Sequence, residues 1–513
     1  MVHSEIPKIA MSGDELQHLC DQVTRDAAAG DYDGALTLIR NQGPAIWYGL
    51  RPERLRSILE GAIASGAEQT PLAQQLHLFV TAGDSAQISP ETLHALVGSH
   101  DSIALAVVRT ARVIDLRLRG RAHVAADLLR ELEESALRIT PLFDTTAGLQ
   151  LVLSLQCGIT AMLAGRFPEA LRYLLAARIH PVIPELVFLT RDALVKSALI
   201  HAFFGDSAEA RALLDEAAQL PRTISWAEPL IDAHIALTHA RLAPDRSSGR
   251  AILRSIEIRD VGEMWPFYVL CMHHVMRAPA DTHTLKQQIA VFEQLGFPRV
   301  EGEGLTGSVF PLVRADMHLR QGNTREAGMF LAQADPEFAF TQLLSARGEL
   351  ADGRAKNAVK AASAVDTDTA LRKVHLYRQA ILADVFEALQ KRRSTITALM
   401  SAMKVEEGVR AEEAAMFSPK IQALAESEIP GWPHIASPTE EVPEPANSDA
   451  VSLTNREREI IELLATDLSR NEIAAQQYIS LNTLKSHITR LYKKLDVSSR
   501  EEAVHRARLE GWA

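Results

Sequence analysis

Apolar residues recur at helical spacing along most of this chain. Segments 103–119, 147–164, 186–204 and 308–321 place them at intervals of three and four, the signature of an amphipathic helix with one buried face. No convincing run of β-branched alternation bounded by turn residues is found before about residue 427. The pattern predicts an all-α fold.

A second periodicity joins these helices. Gly30 is followed five residues later by Ala35, Gly120 by Ala125, Gly165 by Ala170, Gly205 by Ala210, Gly322 by Ala327 and Gly353 by Ala358. In each case an apolar helix precedes the glycine and another follows the alanine. Glycine suits the left-handed residue that ends a helix, and a small side chain one turn into the next helix lets the two pack closely. Gly83 reads as a degraded copy, and the interval between 205 and 322 has room for two poorer copies near 243 and 280. The spacing resembles tetratricopeptide repeats, often at greater length than the standard unit, which implies an α-solenoid of helical hairpins.

The helical pattern fades after about residue 427. Prolines at 430, 433, 438, 443 and 445 remove helix donors and fix φ. Three parts are expected: a helical-repeat sensory or oligomerisation region over 1–427, a proline-rich linker over 428–451, and a C-terminal domain over 452–513. That last domain has clear punctuation. Thr454 with Glu457, Ser469 with Glu472 and Ser499 with Glu502 each have capping-box spacing, and Ser480 is a further candidate cap. The predicted helices are 455–466, 470–477, 481–495 and 500–510. The second and third are joined by a tight turn, as in a helix-turn-helix.

In the third helix Leu484, Ile488, Leu491 and Leu495 form one apolar stripe. The opposite face carries Asn482, Lys485, Ser486, Thr489, Arg490 and Lys493. No carboxylate occurs between Glu472 and Asp496, whereas Lys485, Arg490, Lys493 and Lys494 do. A cationic face clear of acids suits the major groove of double-stranded DNA, because phosphate contacts supply much of the affinity.

Charge changes the picture only locally. The 513 residues carry 54 Lys+Arg and 65 Asp+Glu, a net charge of −11. Residues 452–513 hold ten basic and nine acidic side chains, so the acidity belongs to the rest of the chain. An acidic chain of this kind does not coat nucleic acid along its length. With 47% hydrophobic and 23% charged residues the composition is that of a soluble globular protein. Cys20, Cys157 and Cys271 have neither disulfide-framework nor zinc-site spacing. The start of the chain does not read as a signal peptide, and Arg191, Asp192 and Lys196 interrupt the most apolar stretch. A cytoplasmic protein without a membrane partner is expected.

The run from Leu453 to Ala507 resembles the LuxR-type, or FixJ-type, helix-turn-helix of bacterial regulators. The resemblance rests on Leu453-Thr454 with Arg456-Glu457, Asn471-Glu472-Ile473-Ala474, Thr483-Leu484-Lys485 with His487, and Lys494-Leu495, Val497, Ser499-Arg500 and Glu502-Ala503. It implies that Lys485, Ser486 and Thr489 read bases, while Thr483 and neighbouring basic residues hold phosphates. His487, flanking the stripe, is given a structural role. The final helix, with Ala503 and Ala507 on a small-residue face, resembles the family's dimer contact, so a homodimer on DNA is expected. Asp467 and Asp496 stand where the family usually has glycine, Arg470 where asparagine is frequent, and Gln477 where an apolar residue is usual.

Regulators of the MalT-like kind add an ATPase module to such repeats. The only approach to one is GEGLTGS at 302–308, which has serine where the essential lysine belongs and reads as an ordinary loop. No receiver pattern, catalytic constellation, metal spacing or cofactor motif stands out. His273-His274 and Trp47-Tyr48 read as core or solvated residues. The expectation is therefore a non-enzymatic transcription regulator of promoter DNA, controlled by a ligand, peptide or protein on its helical repeats. The alternative is a protein–protein adaptor with an auxiliary DNA-binding domain.

Overall fold

The computed structural model describes residues 13–67, 102–138, 148–366, 371–434 and, near the C-terminus, 460–509 apart from 462, 467, 477–480, 496 and 498. The chain divides into two compact units, Met1–Val442 and Pro443–Ala513. Among the described residues every regular element is a helix.

The first unit is a succession of antiparallel helical hairpins. Phe167–Arg178 folds back on Leu149–Leu163, Ser207–Ala218 on Val187–Phe204, and Arg246–Arg254 on Glu228–Leu242. Further along, Thr324–Leu331 pairs with Gly304–Arg320, Ala355–Ala364 with Ala339–Ala351, and Arg392–Ala402 with Arg372–Ala388. The six alanines named from the sequence, 35, 125, 170, 210, 327 and 358, are all fully buried. Five of their glycines have positive φ, between 73° and 82°.

Gly205 departs from that series. Its φ is −111°, and the carboxylate of Asp206 caps the next helix by accepting from the Ala208 amide at 2.7 Å. Gly205 is small because a β-carbon there would lie 2.6 Å from the His201 ring. A further hairpin carries no glycine at all. Gln390 takes the left-handed conformation, φ 57°, and Thr395 fills the alanine position with no exposure. Gly83 lies outside the described residues. Turns do fall near 243 and 280, between Glu228–Leu242 and Arg246–Arg254 and between Trp265–Val275 and Thr282–Gln294.

Two other expectations are corrected. The GEGLTGS segment is a loop only as far as Glu303, because a helix begins at Gly304. A β-carbon at Gly304 would sit 2.8 Å from the Ala164 Cα, and one at Gly307 would sit 1.9 Å from the Val300 carbonyl. These glycines serve close packing, and the Gly304 amide donates to the Asp335 carboxylate at 3.0 Å. Ile429 and Trp432, given to the linker on proline density, are buried in the first unit, with Trp432 edge-on to Phe417. Proline removes amide donors, but it does not stop the neighbouring apolar side chains from packing.

Distant hairpins also touch. Lys373 donates to the Ala202 carbonyl at 2.6 Å, Arg410 grips both oxygens of Asp206 at 2.6 and 3.0 Å, and Phe167, Phe204, Phe338 and Phe340 share one aromatic cluster. Trp47 and Tyr48 are core residues, the latter stacked on Trp226. The three cysteines are free and buried. No described helix is long and apolar enough to cross a membrane. Val187–Phe204, the most apolar stretch, instead carries ion-paired Arg191 and Asp192 into the core.

Candidate nucleic-acid interface

The second unit is built around one small apolar core. Ile460, Ile461, Leu464, Ile473, Ala474, Leu484, Ile488, Leu491, Leu495, Ala503 and Ala507 are all buried in it. The stripe Leu484, Ile488, Leu491 and Leu495 thus faces inward, each leucine contributing about 1.5–3 kcal/mol by burial. The helices Arg470–Gln476, Leu481–Leu495 and Arg500–Leu509 have the expected starts. Residues 477 and 510, where the first and last of these were expected to end, lie outside the described residues, as does Ser480.

Capping sets those starts. The Ser469 amide donates to Glu472 Oε2 at 2.7 Å, and the Glu472 amide donates to Ser469 Oγ at 3.4 Å, closing both halves of the box. The hydrogen bonds at Ser469 hold the Glu472 carboxyl below its ordinary range. Ser499 Oγ accepts from the Glu502 amide at 3.1 Å. Thr454 and Glu457 lie outside the described residues, as do Asp467, Gln477 and Asp496.

With its apolar side packed, the helix Leu481–Leu495 turns Lys485, Ser486, Thr489 and Arg490 to the exterior. The side chains of Asn482, Thr483 and Lys493 lie outside the described residues. The Thr489 hydroxyl donates to the Lys485 carbonyl at 2.9 Å, which leaves its methyl group and the oxygen's lone pairs to meet a base edge. His487 is half-buried beside the stripe, as is Lys494. The exposed face carries Lys485 and Arg490 and, from residue 473 to 495, no carboxylate. Such a surface attracts a polyanion and presents hydrogen-bonding groups to it.

Two features were not read from the sequence. Arg500 reaches back across the domain: its Nε donates to the Leu464 carbonyl at 2.9 Å, and one terminal nitrogen donates to the carbonyls of Thr466 at 2.7 Å and Leu468 at 2.9 Å. It satisfies carbonyls at the C-terminal end of the first helix and just before the next. Its place directly after a capping serine marked a helix start, but nothing local pointed thirty-odd residues upstream. The second feature is a correction. Ala503 and Ala507 are fully buried in their own domain, so that small-residue face is not available as a dimer contact. Small side chains there let Arg500–Leu509 lie close to Leu481–Leu495.

Among the described residues no group of three or more His, Cys, Asp or Glu side chains is placed to hold a metal ion. His273 pairs with Asp316 at 3.0 Å instead.

Comparison with known proteins meets this geometry. Residues 451–507 match the luxR family of bacterial regulatory proteins, GerE. The spore germination protein GerE of Bacillus subtilis is 46% identical over 52 residues, which are 10% of this chain and 70% of GerE. The transcriptional regulatory protein DesR of Bacillus subtilis is 38% identical over 72 residues, 14% of this chain and 36% of DesR. The CsgBAC operon transcriptional regulatory protein of Escherichia coli is 43% identical over 58 residues, 11% of this chain and 27% of that protein. The chain therefore spans only about a third or a quarter of the latter two relatives. A helix-turn-helix with this core, this capped scaffold and this match places the chain in the luxR family of bacterial regulatory proteins.

Proposed function

We propose that this protein regulates transcription by laying the helix Leu481–Leu495 in the major groove of promoter DNA. Lys485, Ser486 and Thr489 read base edges, while Asn482, Thr483, Arg490 and Lys493 hold phosphates or flank them. The observation that carries this reading is the division of one helix into a buried stripe and an exposed, carboxylate-free cationic face. The names of GerE, DesR and the CsgBAC regulator, all bacterial and mostly transcriptional, support it.

The finer parts of the proposal concern the whole chain. It acts in the cytoplasm as a homodimer on two half-sites, through a surface other than Ala503 and Ala507. The helical hairpins bind an effector and act on the DNA-binding unit through the proline-rich segment that follows them. Selection of genomic fragments by the full chain, followed by salt titration on the best of them, tests the core of the reading. Affinity is expected to fall steeply between low and physiological salt, with sequence preference relaxed by Lys485→Ala. Weak, sequence-blind binding unaffected by that substitution would point to the adaptor alternative.

A further inference from the structure

Positive charge is concentrated inside the first unit of this acidic chain. Arg241 lies on Glu228–Leu242, Arg277 just beyond Trp265–Val275, Arg320 on Gly304–Arg320, Arg347 on Ala339–Ala351 and Lys373 on Arg372–Ala388. These are the first helices of successive hairpins, so the stacking of the repeats brings the five cations into one region.

A single carboxylate stands among them. Asp316 receives His273 Nε2 at 3.0 Å, Arg347 at 3.6 Å, Arg277 at 3.9 Å and Arg320. One carboxylate charge cannot neutralise three guanidinium groups. Arg320 Nε is buried and has no hydrogen-bond partner. Among the described residues no carboxylate lies within ion-pair distance of Arg241: it lies over the Phe203 ring and meets His274 Nε2 at 3.3 Å, a nitrogen that must be unprotonated to accept. Lys373 is buried against one backbone carbonyl. Of the acids in the surroundings, Glu413 is paired with Arg372 and Asp206 with Arg410, while Glu412 and Asp384 act on the cluster only from beyond ion-pair distance.

Cations desolvated together without counter-charge repel one another. Burial and the nearby Arg241 guanidinium press the Lys373 ammonium down to about 6. Burial, with Arg277 adding to it, lowers Arg241 to about 10, and the same neighbours hold His274 neutral. Arg241, Arg320 and Arg347 nevertheless keep a minor part of their surface exposed, so water reaches the cluster.

We propose that Arg241, Arg277, Arg320, Arg347 and Lys373 form a binding site for a small organic oxyanion, carrying carboxylate or phosphoryl groups, whose charge completes the cluster. Guanidinium forks match both groups in geometry, and Lys373 adds a point charge. The site rests on the effector reading above only in its consequence for DNA, not in its existence.

The test is calorimetric titration and thermal melting of the full chain with succinate, citrate, inorganic phosphate and glucose 6-phosphate, at ionic strength matched with chloride. At least one probe is expected to bind saturably and raise the melting temperature, and comparison of the carboxylates with the phosphates decides which group is taken. Arg241→Gln is expected to weaken that binding about tenfold or more. It should also raise the melting temperature of the anion-free chain, because it removes a repelled cation. Lys373→Met serves as the second variant, and Arg254→Gln, exposed and unpaired, should bind like wild type. Absence of saturable binding by every probe overturns the site, as does equal binding by Arg241→Gln and wild type. If an anion binds as expected and DNA affinity is unchanged, the site stands and the effector reading fails.

Discussion

The two units of this protein handle charge in opposite ways. In the C-terminal unit the core is wholly apolar, and the described charged side chains of the recognition helix are exposed or only half-buried. In the helical-hairpin unit Arg117, Arg191, Asp192, Lys196, Asp316 and Lys373 lie inside. A core of the first kind follows from a binary pattern of apolar and polar positions, and a core of the second kind does not. Buried ions need named partners, and although Asp192 and Lys196 find each other on one helix, others are met only by helices distant in sequence. Arg117, for example, binds both oxygens of Glu263 at 2.9 and 3.0 Å.

The contrast is broken most severely at Arg191 and Glu228, a pair with each side chain only 4% exposed. Glu228 also accepts from the Thr223 amide at 2.7 Å. Glu228→Ala leaves the buried Arg191 guanidinium only the longer contact to Asp232 at 3.7 Å and is expected to destabilise the first unit by about 3 kcal/mol, read by denaturant melting. The double change Arg191→Met with Glu228→Leu should recover most of that loss. If the single variant melts like wild type, the pair is not desolvated as described.

Acid should separate the units next. Burial by itself would raise the Asp192 carboxyl, but Lys196 and His234 overrule it and hold it at about 2. A carboxyl depressed in the folded state stabilises above its unfolded value, and that stability is lost as pH falls through the folded value. The first unit should therefore weaken between about pH 4 and 2, and Asp192→Asn should flatten that limb of the melting profile.

Smaller effects sharpen the comparison within the DNA-binding unit. Arg500→Ala leaves three carbonyls without their donor and should cost about 2–3 kcal/mol in melting of that unit, with the first unit unchanged. Lys485→Ala should leave melting untouched and weaken specific DNA binding by about 1–3 kcal/mol, measured by fluorescence titration. Ser469→Ala removes a cap and is expected to cost about 1 kcal/mol. A loss of folding from Lys485→Ala would mean that its side chain supports the core.

The division of the helix Leu481–Leu495 into a buried stripe and an exposed cationic face was legible because it depends on local rules. A stripe at four, seven and eleven residues, a capping serine with its glutamate, and an absence of acids can all be seen without a fold. The hairpin turns were legible for the same reason, and they failed where a different residue solved the same local problem, as Gln390 and Asp206 do. Ala503 and Ala507 show the limit. A small-residue face says that something packs closely, but not whether it is the same chain or another.

Helix positions, turn chemistry and the polarity of each face were determined by the order of residues alone, since they arise from interactions within a few positions. Which faces meet was decided by the tertiary structure: Arg500 against the first helix of its domain, Lys373 against Ala202, and three guanidinium groups around Asp316. The physical reason is range. Propensity and capping act over one helical turn, whereas a buried charge is set by whatever the chain carries back to it from tens or hundreds of residues away.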